Sequence, residues 1–150
     1  MAACLTAAAG LGGTAVWQQG RAQDARAEAR QMREDAAATA SVLTAPDART
    51  GTARLPGGAR AAVVVSRTLD RAVFVGADMA EPPRGKVYQL WFDDGGTMRP
   101  AGLMDPARTD QSVLMRGTVD GAGGMGVTVE PAGGSAEPTS APIAVLSLPS

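Results

Sequence analysis

The chain contains no histidine, one cysteine and one lysine, and only 3% of its residues are aromatic. Without histidine it lacks the commonest general base, proton shuttle and metal ligand. A lone Cys4 permits neither an intrachain disulfide nor a zinc site of the Cys/His kind. A body free of cysteine says nothing about redox compartment, because many exported domains manage without bridges. A net charge of -1 gives no basic excess to neutralise phosphates, and stacking platforms for single strands are scarce. These absences argue against nucleic-acid binding and against most acid–base catalysis.

At 150 residues, the chain has room for one domain and an appendage. Its Gly (19) and Pro (10) content implies many turns and few long helices beyond the start. Residues 1–17 carry no charge, and extension to Gly20 gives the length a spanning helix needs. Trp17 and Arg21 stand where interfacial residues belong. No positive charge precedes the run as in a signal peptide, and Ala7-Ala8-Ala9 fits a cleavage site loosely. Cys4 lacks the upstream apolar stretch of a lipidated cysteine. Residues 1–20 are therefore expected to be a truncated membrane anchor, ahead of a signal-like start or a buried soluble helix.

Residues 18–40 are rich in Ala, Arg, Gln and Glu, which predicts a helix. Ala22, Ala25, Ala29, Met32, Ala36 and Leu43 form a heptad-like seam too small for a stable coiled coil. Arg30 and Glu34 make an i,i+4 pair, and Arg21, Arg26, Arg30 and Arg33 balance Asp24, Glu28, Glu34 and Asp35. The segment from 21 to 40 is either a stalk or a solvated helix packed on the domain.

From Ser41 onward, short β-type runs alternate with turn signals. They lie at 42–44, 51–55, 61–66, 72–76, 86–93, 97–104, 112–117, 125–130 and 143–148. The expected fold is mainly β: an antiparallel sandwich of immunoglobulin-like size over 41–150, with about seven to nine strands behind a long helix. The central run, Lys86-Val87-Tyr88-Gln89-Leu90-Trp91-Phe92-Asp93, holds the only Tyr, one of two Trp and one of two Phe. Bulky groups point both ways along it, so it is expected to be covered on both faces, or on one face plus one end. Asp93-Asp94-Gly95-Gly96 then turns the chain into a hairpin. Adjacent valines in 61–66 and 72–76 place both strands inside a sheet, and Pro82-Pro83 marks an exposed crossing.

Candidate sites are few. Asp93, Asp94 and Asp105 match no calcium loop, and turn chemistry explains Asp94. Thr128-Val129-Glu130-Pro131-Ala132-Gly133-Gly134-Ser135 lacks the Lys-Ser/Thr end of a phosphate loop, so a strand turning on two glycines is the simpler account. Glu130 has no evident partner acid, and Ser66, Ser112 and Ser135 have no imidazole to activate them. Lys86 sits at a strand start beside Gly85, where a solvated end is expected. Met79, Met98, Met104, Met115 and Met125 suit gap-filling in an aromatic-poor core better than copper binding. No catalytic, cofactor or metal residue is assigned, and no enzyme activity is expected.

Pro83-Arg84-Gly85-Lys86-Val87-Tyr88-Gln89-Leu90-Trp91, the turn after it and Ala101-Gly102-Leu103 resemble the signature of the anti-sigma-K factor family, C-terminal domain. Thr128 to Ser135, followed by Pro138-Thr139, resembles that family's second signature. The resemblance covers residues 40–150 in sequence and residues 1–40 by arrangement. It implies a single-pass bacterial membrane protein with this domain outside the cytoplasm. In such a protein a cytoplasmic N-terminal domain restrains an extracytoplasmic-function sigma factor. Proteolysis by a site-1 type and an intramembrane protease frees it. The present sequence departs from that pattern in beginning within the apolar run, so it is not expected to contact a sigma factor itself. The competing reading is a cell-envelope module that captures a small molecule or carbohydrate. An exposed Trp91 beside Gln89 favours that module, and a buried Trp91 favours the regulatory domain. A deep pocket joining Glu130 to Asp93 or Asp94 would revive an enzyme.

Overall fold

The computed structural model describes the backbone of residues 9–150 and the side chains of residues 20–150. A helix, α1 (Ala9–Leu43), is followed by eight strands. These are β1 (Arg49–Arg54), β2 (Arg60–Ser66), β3 (Arg71–Ala77), β4 (Lys86–Asp93), β5 (Met98–Leu103), β6 (Gln111–Leu114), β7 (Gly124–Pro131) and β8 (Ala144–Ser147). The chain divides into two compact units, Met1–Ala37 and Ala38–Ser150, so the boundary falls within α1. Residues 1–8 of the expected anchor lie outside the described residues. Among the described residues, no helix is long and apolar enough to cross a membrane.

The second unit holds two four-stranded sheets, β1-β2-β3-β6 and β5-β4-β7-β8, and every strand pair is antiparallel. This is the expected mainly-β sandwich behind a helix. β2 and β3 are interior, as their paired valines require. Their alternate residues Val63, Val65, Ala72 and Phe74 face Leu90, Phe92, Met125 and Val127 from the other sheet, forming one core. Met79, Met104, Met115 and Met125 are buried in that core, as gap-filling residues should be, while Met98 is half-buried.

The β4–β5 hairpin closes where Asp93-Asp94-Gly95-Gly96 predicts. Gly95 and Gly96 take φ of 70° and 100°, a conformation open to glycine. The Asp93 side chain accepts the Gly96 N–H at 2.6 Å, and Asp94 N–H donates to the Thr97 carbonyl at 2.9 Å. The β4–β5 register then slips between Leu90 and Trp91, so that Gly102 and Pro100 pair with them and Ala101 is an extra, fully buried residue. Pro100 sits beside this bulge, where its missing N–H breaks no regular ladder.

Two expectations are corrected. The run 42–44 is not a strand: α1 continues to Leu43, and Thr44 N–H still bonds the Ala40 carbonyl at 3.0 Å. Pro46 is what ends it. The β-branched residues are tolerated because Val42 is fully buried against Val64 and Val73 on the outer face of the first sheet. The crossing at Pro82-Pro83 joins β3 of one sheet to β4 of the other, but Pro82 is buried and only Pro83 is exposed.

Candidate functional site

The alternation of β4 sends Leu90 and Phe92 into the main core and leaves Gln89 and Trp91 on the opposite face. On β7, the register places Thr128 opposite Gln89 and Glu130 opposite Val87. All of Gln89, Trp91, Thr128 and Glu130 are nonetheless buried. The chain after β7, residues 132–142, covers them as a strap.

The strap is fastened by a set of polar bonds. Trp91 Nε1–H donates to Thr128 Oγ1 at 2.8 Å, and Thr128 Oγ1–H donates on to Glu130 Oε1 at 2.6 Å. Ser135 Oγ–H donates to Glu130 Oε2 at 2.9 Å, and Thr139 N–H lies 3.0 Å and 3.1 Å from the two carboxylate oxygens. The Thr139 hydroxyl donates to Glu130 Oε2 as well. Gln89 grips the same strap through its amide. Its Oε1 accepts Ser135 N–H at 2.8 Å, and its Nε2 donates to the Ser135 carbonyl at 2.9 Å. Val129 N–H donates to Ser140 Oγ at 3.1 Å.

Two glycines allow the strap to fold back so tightly. Gly133 and Gly134 take φ of 94° and 81°, and Gly134 N–H bonds the Pro131 carbonyl at 2.9 Å. A Cβ on Gly134 would stand 2.9 Å from both Gln89 Oε1 and Leu103 Cδ2, so any side chain there would displace the Gln89 amide from Ser135 or move Leu103, and would be strained at this φ.

The electrostatics follow from the donor set. Burial pushes the Glu130 carboxyl up. The hydroxyls of Thr128, Thr139 and Ser135 and the Thr139 N–H outweigh that, holding it at about 2. The group is a carboxylate at any ordinary pH, with all its neighbours donating to it. A general acid needs the reverse, a proton held near neutral pH.

The other candidate residues are dispersed. Asp94 pairs with Arg99 at 2.8 Å, and that hydrogen bond lowers the Asp94 pKa. Arg99 also donates to the Thr118 carbonyl at 3.0 Å and lies 4.9 Å from the centre of the Phe92 ring. Asp105 Oδ1 accepts Ala107 N–H at 2.9 Å within its own turn. Ser66 Oγ–H donates to Asp47 at 2.8 Å, Ser112 is exposed, and Lys86 is exposed at the start of β4. Among the described residues, no group of three Asp, Glu, Cys or His is placed to hold a metal ion. An open groove of about 540 Å³ lies along the outer face of the first sheet, lined by Thr52, Arg54, Arg60, Ala62, Val75 and Ala77 among others. It contains no aromatic side chain and none of the strap residues.

Sequence reasoning placed Glu130 on its strand but missed its role, and missed Gln89 and Asp47 as fasteners. Asp47 accepts Thr68 N–H and the Ser66 hydroxyl, each at 2.8 Å. Those two bonds, in that order, hold its carboxyl at about 2 against the opposing effect of burial. The available signal was the alternation Thr128-x-Glu130 facing the side of Trp91, with hydroxyl residues recurring at 135 and 139.

The fold and the strap together define a two-sheet β domain behind a helix, whose two recognisable motifs are bonded to each other. The chain belongs to the family described as anti-sigma-K factor rskA, C-terminal, whose pattern matches residues 1–143. It is 58% identical over 149 residues to a Streptomyces griseus protein described as an uncharacterized protein in phr 5′region, covering 99% of this chain and 63% of that one. It is 41% identical over 109 residues to the anti-sigma-K factor RskA of Mycobacterium tuberculosis, covering 71% of this chain and 47% of that protein. The anti-sigma-K factor RskA of Mycobacterium sp. strain KMS is 38% identical over 108 residues, with 71% and 44% covered. The chain thus spans under two thirds of the first of these relatives and under half of the other two. No solved structure matches it.

Proposed function

We propose that this chain is the extracytoplasmic regulatory part of a membrane-bound anti-sigma factor, a negative regulator of transcription without catalytic activity of its own. Residues 1–20 anchor it in the membrane, residues 21–40 form the stalk, and residues 41–150 are the domain outside. Control of an extracytoplasmic-function sigma factor runs through proteolysis: the domain biases the access of a site-1 type protease, and an intramembrane protease completes the release. Contact with the sigma factor itself belongs to a segment outside the β domain. Family membership supports the anti-sigma assignment.

The single observation that carries the regulatory reading is Trp91, which has 0% exposure and whose indole N–H is bonded inward to Thr128. Capture of a ligand on Trp91 would need its ring face open, and both family signatures are instead spent on closing the strap. Enzymatic work would need acid–base groups gathered around Glu130, and the groups bonded to it are three hydroxyls and one backbone N–H.

Topology is the test. Alkaline phosphatase, which matures only outside the cytoplasm, is fused after Ser150 and compared with a β-galactosidase fusion at the same residue. The expected result is an active phosphatase, an inactive galactosidase, and both chains in the membrane fraction. An active galactosidase in the soluble fraction overturns the anchor and the extracytoplasmic placement.

A further inference from the structure

Among the described residues, the main core gathers nineteen buried residues from both sheets, whereas a second, separate cluster on the outer face of the first sheet has three: Val42, Val64 and Val73. Val42 is the only one of these from the helix. Half-buried Ala48, Val75 and Leu114 flank it. Four residues past the end of the helix, Asp47 spends one carboxylate oxygen on the Ser66 hydroxyl and the other on Thr68 N–H. Ser66 Oγ in turn accepts Leu69 N–H at 3.1 Å. Asp47 thus grips the turn between β2 and β3. The same turn is held from its other side by Asp70, at φ 52°, whose Oδ1 accepts Val119 N–H at 2.8 Å and Asp120 N–H at 2.9 Å. The anchors of segment 38–48 on the sandwich thus include an apolar knob, Val42 with Ala48 beside it, and a carboxylate clamp, Asp47, and the seats of Val42 and Asp47 lie on β2, β3 and the turn that joins them.

We propose that residues 38–48 form a latch, which opens as a local unit ahead of the sandwich and so turns a disturbance of the β2–β3 turn into a protease-accessible segment. Local openings are drawn from regions with few buried apolar contacts, and this segment has a far smaller buried seat than the strands it leans on. Opening it breaks the Val42 contact and the two Asp47 bonds, and it leaves the main core intact. A ligand, partner or force acting on the turn at 66–70 bears on both sides at once, because Asp47 and Asp70 meet there. The latch rests on the regulatory reading only for its biological use.

Native-state amide hydrogen exchange on the purified 150-residue chain tests it, with subtilisin nicking as a second readout. Val42→Ala removes part of the knob, and Asp47→Asn replaces the clamp by a group that accepts through one oxygen. In the wild type, peptides covering 38–48 are expected to exchange faster than β4 and β7. Each variant is expected to speed exchange at 38–48 by ~10-fold, leave β4 and β7 within ~2-fold of wild type, and move the first subtilisin cut into 38–48. Exchange of 38–48 in step with β4 and β7, with both variants moving all three together, overturns the latch. So does an unchanged rate at 38–48 in both variants. Neither result bears on topology, because no membrane or partner protease takes part.

Discussion

Glu130→Gln is expected to lower the midpoint of thermal unfolding by about 10 °C and to flatten the acid limb of the stability curve. The carboxylate accepts from three hydroxyls and one backbone N–H, in a site with no exposure to water. Glutamine keeps one accepting oxygen and turns an NH₂ towards donors. The hydroxyls can rotate to accept, but Thr139 N–H cannot. Leaving buried groups mismatched in this way costs about 2–3 kcal/mol, and a domain of this size loses about 4 °C per kcal/mol. The pH dependence has a fixed sign. The folded carboxyl sits at about 2, below its ordinary 4.5. Its contribution is therefore complete above pH 4.5 and is lost as pH falls through 4.5 towards 2. Asp47, lowered from 3.8 to about 2, adds a smaller loss over a similar window, and that loss persists in Glu130→Gln. Melts followed by circular dichroism between pH 7 and pH 2.5 check both statements. An unchanged midpoint at pH 7 contradicts the role given to Glu130.

Trp91→Ala is expected to have the larger effect, lowering the midpoint of thermal unfolding by about 12–20 °C. The indole is the bulkiest fully buried side chain among the described residues. Truncating such a residue costs about 3–5 kcal/mol in transfer and cavity terms, against a total of about 5–15 kcal/mol for a typical domain. It also removes the donor to Thr128 Oγ1, the first link of the chain that ends at Glu130. Trp91→Phe separates the two contributions. It keeps most of the apolar volume and loses the N–H, so a cost of about 1–2 kcal/mol is expected. Since Trp91 and Glu130 act through one shared hydroxyl, Trp91→Phe and Glu130→Gln together should cost less than their sum. Urea unfolding of the two single variants and the double variant measures this directly. A strictly additive cycle would mean that the indole and the carboxylate are independent.

The β4 strand was legible to the residue, because its aromatic residues alternate and a glycine pair stops it. The remaining strands were legible as runs with ends shifted by one to three residues, since valine alternation and turn residues bracket them. The coverage of both faces of β4 was also readable from Trp91 and Gln89 opposing Leu90 and Phe92. What covers the second face was not. A carboxylate in a strand reads as exposed or catalytic until its donors are known. Here the donors arrive five and nine residues later, brought round by Gly133 and Gly134. The run Val42-Leu43-Thr44 misled for a related reason. β-branched residues favour strands on average, but a buried seat on Val64 and Val73 outweighs propensity. Pro82 shows the same limit, because a residue unable to donate to a ladder can still be buried where two sheets are joined.

The most direct test of the strap is the exchange rate of two single amides, Ser135 and Thr139, followed by NMR at neutral pH. If Gln89 and Glu130 fasten the strap as described, both amides are as protected as those in the middle of β4 and β7, and Glu130→Gln releases Thr139 first. Exchange of both at the rate of an open loop in the wild type would mean that the two motifs are not joined, and that Trp91 lies under a cover free to leave it.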